Sequence, residues 1–198
     1  MTLTRKQWAL LAQEAYTTAP SLGQEDSAGR VVFVQSEQGL ILSMPGTNNA
    51  ECVLADLDAI PYDTGAFGIV HRGIWEAFYP ILDDVAKLDV YGLVGHSEGA
   101  AGALYLAARL CLIGKAPKIV YAWEPPRTSL DSKLSDIFIK YGVEVHIMYH
   151  GEDIVPTVPF DLPLLPWQHA GTVERFGNAS LPFPNFEDHL IANIVADL

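Results

Sequence analysis

Apolar and polar positions follow two rhythms along this chain, and the switches between them lay out its elements. Over residues 4–18, Trp8, Leu11, Ala12, Ala15 and Tyr16 recur at helical spacing behind Thr4, a helix-capping residue type. A polar loop over 21–29 follows. Residues 30–34 and 40–44 are β-branched or apolar runs on either side of Ser36-Glu37-Gln38-Gly39, the pattern of strand, turn and strand. Residues 50–57 set Cys52, Val53, Leu54 and Leu57 against Asp56, with Asp58 following, which predicts a short amphipathic helix. From Ile74 to Val85 the apolar residues again fall at helical spacing, in a buried helix that Pro80 interrupts or kinks.

The centre of the chain changes rhythm most sharply. Val90, Tyr91, Leu93 and Val94 make a buried strand, Gly95-His96-Ser97-Glu98-Gly99 breaks it, and an alanine-rich helix follows over 100–110. Beyond it come a strand over 117–123, a helix over 130–141 and an alternating strand over 143–149. Residues 162–167 are proline-rich and apolar and read as a rim segment. A short strand over 171–176 and an apolar helix carrying Leu190, Ile191, Ile194 and Val195 close the chain. Strands alternating with helices predict an α/β fold with a mostly parallel central sheet flanked by helices.

Composition narrows this further. With 198 residues, 49% of them hydrophobic, the chain is expected to form one domain over 1–198 with a substantial core. Lys and Arg number 12 against 24 Asp and Glu, a formal charge of −12, so a surface of that sign repels nucleic acid and anionic membranes. No stretch reaches the roughly 18 apolar residues of a membrane span. Gln13 and Glu14 interrupt the N-terminal apolar run, so no signal peptide is read and a cytoplasmic location is expected; export by another route leaves no mark in a sequence. Cys52 and Cys111 are too few for a disulfide framework.

Chemistry enters at Gly95-His96-Ser97-Glu98-Gly99. A serine on a tight strand-to-helix turn sits in strained backbone, with glycines where a Cβ strikes neighbouring elements. Its hydroxyl is expected to project from the sheet, reachable by substrate. The N–H groups that follow open a helix, where donors lack partners and the dipole favours negative charge. Pro45-Gly46-Thr47-Asn48 ends a predicted strand and offers a second donor to an oxyanion, although such a tetrapeptide alone is also an ordinary turn.

A serine nucleophile needs a base and an orienting acid. His71 precedes the serine in a strand-to-helix turn and reads as structural, and His146 lies within an alternating strand. His150 shares a loop with Asp153. His189, at a helix start after a long loop, is best placed to reach Ser97, and His169, on its own loop, competes with it. For the acid, Asp153 sits just past a strand end before Pro156, with Asp161 and Asp188 as competitors; Asp188 adjoins His189 and would point elsewhere. No Cys-x-x-Cys pair occurs, and the residue pattern favours covalent acyl transfer without a cofactor or metal.

Taken together these stretches resemble the class 3, fungal-type lipases of the α/β-hydrolase superfamily, in the family's order and from about residue 7 onward. Pro45-Gly46-Thr47-Asn48 is similar to the loop that supplies the first oxyanion donor, and residues 50–57 to its lid helix. Val70-His71-Arg72-Gly73-Ile74 resembles Val-His-x-Gly-Phe, residues 95–99 Gly-His-Ser-x-Gly, and residues 123–127 the strand-end Gly-x-Pro-Arg. Residues 151–156 look like the Asp-x-Val-Pro segment, Gln168-His169-Ala170-Gly171 like a His-x-Gly strand entry, and Asp188-His189 like the terminal Asp-His. By that likeness Ser97 is nucleophile, Asp153 orienter and His189 base, with Thr47 and the Glu98 N–H as oxyanion hole, and His169 is assigned away from catalysis.

The resemblance implies a carboxylic ester hydrolase, lipase or esterase, acting on lipid or acyl esters, with at most transient contact at a lipid interface and no nucleic-acid partner. Esterases for soluble, feruloyl or phospholipid esters, and a non-catalytic binding module on the same fold, are the alternatives. Departures from the pattern include Glu98 after the serine in place of an apolar residue, Pro45 where arginine is frequent, and Ile74 for phenylalanine. The chain is shorter than secreted members and lacks their disulfides, which implies a reduced lid and acyl groove.

Overall fold

The structure, a computed structural model, describes residues 2–47 and 59–198. Six strands form one twisted sheet: β1 (Val32–Ser36), β2 (Gly39–Met44), β5 (Val90–His96), β6 (Ile119–Trp123), β7 (Glu144–His150) and β8 (Val173–Phe176), in the order β1-β2-β5-β6-β7-β8. Only the β1–β2 hairpin is antiparallel; every other neighbouring pair is parallel. Parallel pairs need crossovers, which the helices between β2 and β7 supply on one face, while the two terminal helices cover the other. The expected fold class is the observed one.

One face carries α2 (Arg72–Phe78), α3 (Leu82–Val85), α4 (Glu98–Leu112) and α5 (Lys133–Tyr141); the other carries α1 (Arg5–Glu14) and α6 (Ile191–Asp197). Strand alternation divides the core accordingly. Leu42, Leu93, Val120 and Ile147 point toward α4, while Ile41, Val94, Tyr121 and Met148 face Trp8 and Ile194. The middle helix α4 is buried nearly all round, and its small residues let α2 lie close to it: a Cβ on Gly102 would meet the Phe78 ring at 2.1 Å. Truncating a buried leucine here, such as Leu104, costs about 2–5 kcal/mol.

Most predicted elements are present with shifted ends. Thr4 caps α1 through a full capping box with Gln7, but the helix stops at Glu14 and the chain turns so that Tyr16 leaves the helix. Pro80 splits the second apolar helix into α2, a 3-10 turn over Tyr79–Ile81, and α3. Helix α5 starts at Lys133 rather than 130, because the Asp131 carboxylate instead accepts from Ile69 N and Lys133 N. A small ribbon, β3 (Pro61–Asp63) against β4 (Ile69–His71), was not expected; β3 is exposed at all three positions and has no alternation to reveal it. The amphipathic segment expected over 50–57, the Cys52 thiol and Asn48 lie outside the described residues. Among the described residues no helix is long and apolar enough to cross a membrane.

Candidate active site

The carboxyl ends of the parallel strands bring the candidate residues together, as open sheets of this kind do. Ser97 follows β5 and begins α4 with φ 57° and ψ −128°, a strained conformation for a side chain. Two glycines make this turn physically feasible. A Cβ on Gly95 would lie 2.3 Å from the Gly99 carbonyl oxygen, and one on Gly99 would lie 2.3 Å from that of Pro45. The Ser97 N–H donates to Trp123 O on β6 at 2.9 Å, which ties the turn to the next strand.

Ser97 Oγ lies 2.9 Å from His189 Nε2, and His189 Nδ1 lies 2.6 Å from Asp153 Oδ2. A hydroxyl bonded to an imidazole that is itself bonded to a carboxylate can pass its proton to the ring. Asp153 stands three residues beyond β7, and its Oδ1 accepts from Val155 N at 2.9 Å. His189 arrives on the C-terminal loop, which adds a parallel bridge to the Asp153 loop: Ile154 N donates to Asn185 O, and Asn185 N to Glu152 O, each at 3.2 Å. The two loops are therefore tied to each other through their backbones. All three side chains are buried, Ser97 to 1% exposure. That corrects the expectation of a hydroxyl open to solvent: Gly46, His96 and His189 pack around it.

The loop after β2 approaches from the other side. A Cβ on Gly46 would lie 2.7 Å from the Ser97 Cβ, which places the Pro45-Gly46-Thr47 backbone directly beside the serine. Tyr16, read from the sequence as one more core position, holds this loop. Gly46 N donates to Tyr16 Oη at 3.0 Å, and Tyr16 Oη–H donates to His96 Nδ1 at 2.6 Å. His96 Nε2–H in turn donates to the His189 carbonyl oxygen at 2.8 Å. This chain fixes the His96 tautomer and links the β2 loop to the backbone at His189. Burial, and next the His189 ring, hold His96 well below the usual imidazole range, so it stays neutral in this role.

The competing residues have other partners. His71 caps α2 and packs on Trp167 at 5.6 Å between centroids. His146 stacks on Tyr121 at 4.4 Å between Glu144 and Glu174. His169 Nε2–H donates to Pro156 O; burial first, and then the Arg127 charge, lower it to about 4 against the carbonyl's opposing pull. His150 bridges Asp188 O and the Asp197 carboxylate, anchoring the backbone next to His189. Asp188 points away, as its sequence position implied, and accepts from Glu152 N, Ser180 N and Asn185 Nδ2. Burial raises its carboxyl, but those donors outweigh it and bring it to about 2. Asp161 is exposed on the rim. One residue at the site was missed, the part-buried Tyr16, because neither spacing nor a motif separates it from an ordinary helix position.

The segment following the 3-10 turn Val155–Thr157 lines an apolar cavity of about 290 Å³, with Val158, Phe160, Leu162, Leu165 and Trp167 among its walls. This is the proline-rich stretch expected at the rim.

A mostly parallel sheet crossed by helices on both faces, with a serine on a strand-to-helix turn, defines an α/β-hydrolase. The family Lipase (class 3) matches residues 41–162, more than half of the chain. The chain belongs to that family of lipase-type ester hydrolases. Solved structures share the fold. A mutant form of MDLA from Penicillium cyclopium is 18% identical, over 94% of this chain and 86% of that one, with a TM-score of 0.71. A lipase from Rhizopus microsporus var. chinensis is 20% identical, over 96% and 88%, with a TM-score of 0.63. Lipase II from Rhizopus niveus is 19% identical, over 81% and 74%, with a TM-score of 0.64. No curated protein matches by sequence.

Proposed function

We propose that this chain hydrolyses carboxylic esters of lipid or acyl type through a Ser97 acyl-enzyme, with His189 as general base and Asp153 as its orienter. The observation that carries the reading is the pair of hydrogen bonds, 2.9 Å and 2.6 Å, that joins hydroxyl, imidazole and carboxylate in a buried site. In the first half-reaction Ser97 Oγ attacks the ester carbonyl carbon while His189 Nε2 takes its proton; the same proton then goes to the departing alkoxide. Water, deprotonated by His189, attacks the acyl-enzyme and releases the acid. Asp153 stabilises the imidazolium in both steps without itself taking the proton.

The tetrahedral intermediate carries its charge on the former carbonyl oxygen. Thr47, next to the Gly46 that abuts Ser97, and the Glu98 N–H at the first turn of α4 are the donors we assign to it. The positive end of the 15-residue helix α4 adds to that stabilisation. For the acyl chain, the cavity edged by Val158, Leu162 and Leu165 offers an apolar lining.

The test is hydrolysis of p-nitrophenyl esters from acetyl to palmitoyl, with and without a lipid interface, together with labelling by a serine-directed phosphonate. Serine-dependent turnover that grows with chain length supports a lipase, and turnover confined to short chains a soluble esterase. Absence of both turnover and label would leave a binding module on a hydrolase fold.

A further inference from the structure

Helical spacing predicts a buried Tyr79, four residues after Trp75 and directly before Pro80, yet the fold leaves it 61% exposed. Residues four apart lie on one helix face, and at the end of α2 this sets its ring 5.5 Å from that of Trp75, between centroids. Strand β3 brings a third ring: Tyr62, also exposed, is stacked 6.5 Å from Trp75. The three rings line one hollow of about 420 Å³ together with Asp63, Thr64 and Glu76. Ser97, Asp153 and His189 are not among its walls.

Aromatic faces carry the negative part of a quadrupole, and a cation within about 6 Å of a ring centroid is drawn to it. The carboxylates act in the same direction. Asp63 is fixed at the rim, since its Oδ1 accepts from Gly65 N at 2.8 Å and its backbone pairs with Ile69 across the β3–β4 ribbon. Glu76 is exposed, and Arg72 Nε stands 3.9 Å from its Oε1, too far for a hydrogen bond. Among the described residues that line the hollow there is no Lys, Arg or His. Arg109, in the adjoining hollow, is committed to Asp83 at 2.9 Å, and Lys133 Nζ turns to Gly65 O at 3.5 Å. The formal charge of −12 favours a cation here as well.

The kind of cation follows from hydration. A primary ammonium has three N–H donors to satisfy, which ring faces do poorly. A quaternary ammonium has none and holds its water weakly, so aromatic walls suit it. We propose that this hollow binds a quaternary ammonium group of choline type, with Tyr62, Trp75 and Tyr79 around the cation and Asp63 and Glu76 balancing its charge. The site is separate from Ser97 and does not depend on ester hydrolysis. Free choline-type amines and the headgroup of phosphatidylcholine share this chemistry.

The test is titration of isotope-labelled protein with choline chloride at fixed ionic strength, followed by NMR through the Trp75 indole N–H signal, which a Trp75→Phe spectrum assigns. Saturation is expected with a Kd on the order of 1–10 mM, the range for a small cation held by a few rings. The neutral carbon analogue of choline, with a tert-butyl group in place of trimethylammonium, should bind about tenfold more weakly or worse. Tyr79→Leu and Tyr62→Leu keep apolar bulk at exposed positions, with circular dichroism to show that they fold; each should weaken choline about threefold. Glu76→Gln should weaken it about twofold and flatten its salt dependence. No movement of the Trp75 signal up to about 100 mM choline would overturn the proposal. Equal affinity for the neutral analogue would overturn it too, as would choline binding that both folded tyrosine variants leave unchanged. Co-sedimentation with phosphatidylcholine vesicles separates the two sources. Vesicle binding that free choline and Tyr79→Leu each reduce assigns the lipid headgroup, and choline binding without such vesicle binding assigns a free amine.

Discussion

Replacing Asp153 by asparagine keeps the side chain's shape and removes the charge that faces His189. The surroundings decide what the amide does. Oδ1 of Asp153 accepts from Val155 N at 2.9 Å, a donor in the backbone that no rearrangement of the side chain can satisfy with an NH2 group. An asparagine therefore keeps its carbonyl oxygen on Val155 and turns its NH2 toward His189 Nδ1. The ring must then accept at Nδ1, carry its proton on Nε2, and point that N–H at Ser97 Oγ. A ring in that tautomer is no longer a base for the serine. A tautomer-reversed triad of this kind loses about 10⁴ in kcat, the equivalent of about 5.4 kcal/mol of transition-state stabilisation. The assay is initial-rate hydrolysis of p-nitrophenyl butyrate by wild type and Asp153→Asn at pH 8, with circular dichroism to show that the variant is folded. KM should change little, since Asp153 is fully buried and touches no substrate. A loss of less than tenfold in a folded variant would refute the assignment of Asp153.

Ser97→Ala should lower kcat by at least about 10⁴. It should also shift the melting temperature by only about 2–4 °C, as loss of one hydrogen bond to His189 predicts for a chain of this size; residual ester turnover at wild-type level would remove the serine as nucleophile. Tyr16→Phe leaves Gly46 N–H and His96 Nδ1 without their shared partner, so kcat should fall about tenfold with KM nearly constant; an unchanged kcat would mean that the β2 loop holds itself. Asp188 is held at about 2 in the fold, below its unfolded value, so its stabilisation is present above about pH 4 and fades as pH falls toward 2. Urea unfolding of Asp188→Asn should accordingly show a deficit of about 1–2 kcal/mol at pH 6 that shrinks by pH 3. A deficit independent of pH would assign Asp188 a purely steric role.

Local signals were enough to read the sheet and the serine turn. Alternation in β7 and the apolar run of β5 reflect burial of one or both strand faces, and that pattern survives any tertiary detail. Gly95 was legible because the clash it avoids is with Gly99 in its own strand-turn-helix unit, whereas the clash that Gly99 avoids is with Met44 and Pro45 at the end of β2. Residues 61–63 were not legible as a strand. Their pairing to Ile69–His71 is made by backbone bonds and a short turn, and exposed side chains carry no periodicity.

The sequence by itself determined the α/β order of elements, the position of the serine at a strained turn, and a short set of histidines and carboxylates able to serve it. It did not choose among them on chemistry alone, since His169 and His189 both lie on loops. Tertiary structure decided that choice: bridging of the Asp153 and Asn185 loops carries His189 to within 2.9 Å of Ser97, while His169 turns to Pro156. It also brought Tyr16 to the loop beside Ser97. Tyr16 is an ordinary residue along the chain, 81 positions before the serine. Its place arises only where β2 and β5 end side by side. Proximity across parallel strands depends on sheet order, and sheet order is set by how the crossovers pack, which no local window of residues records.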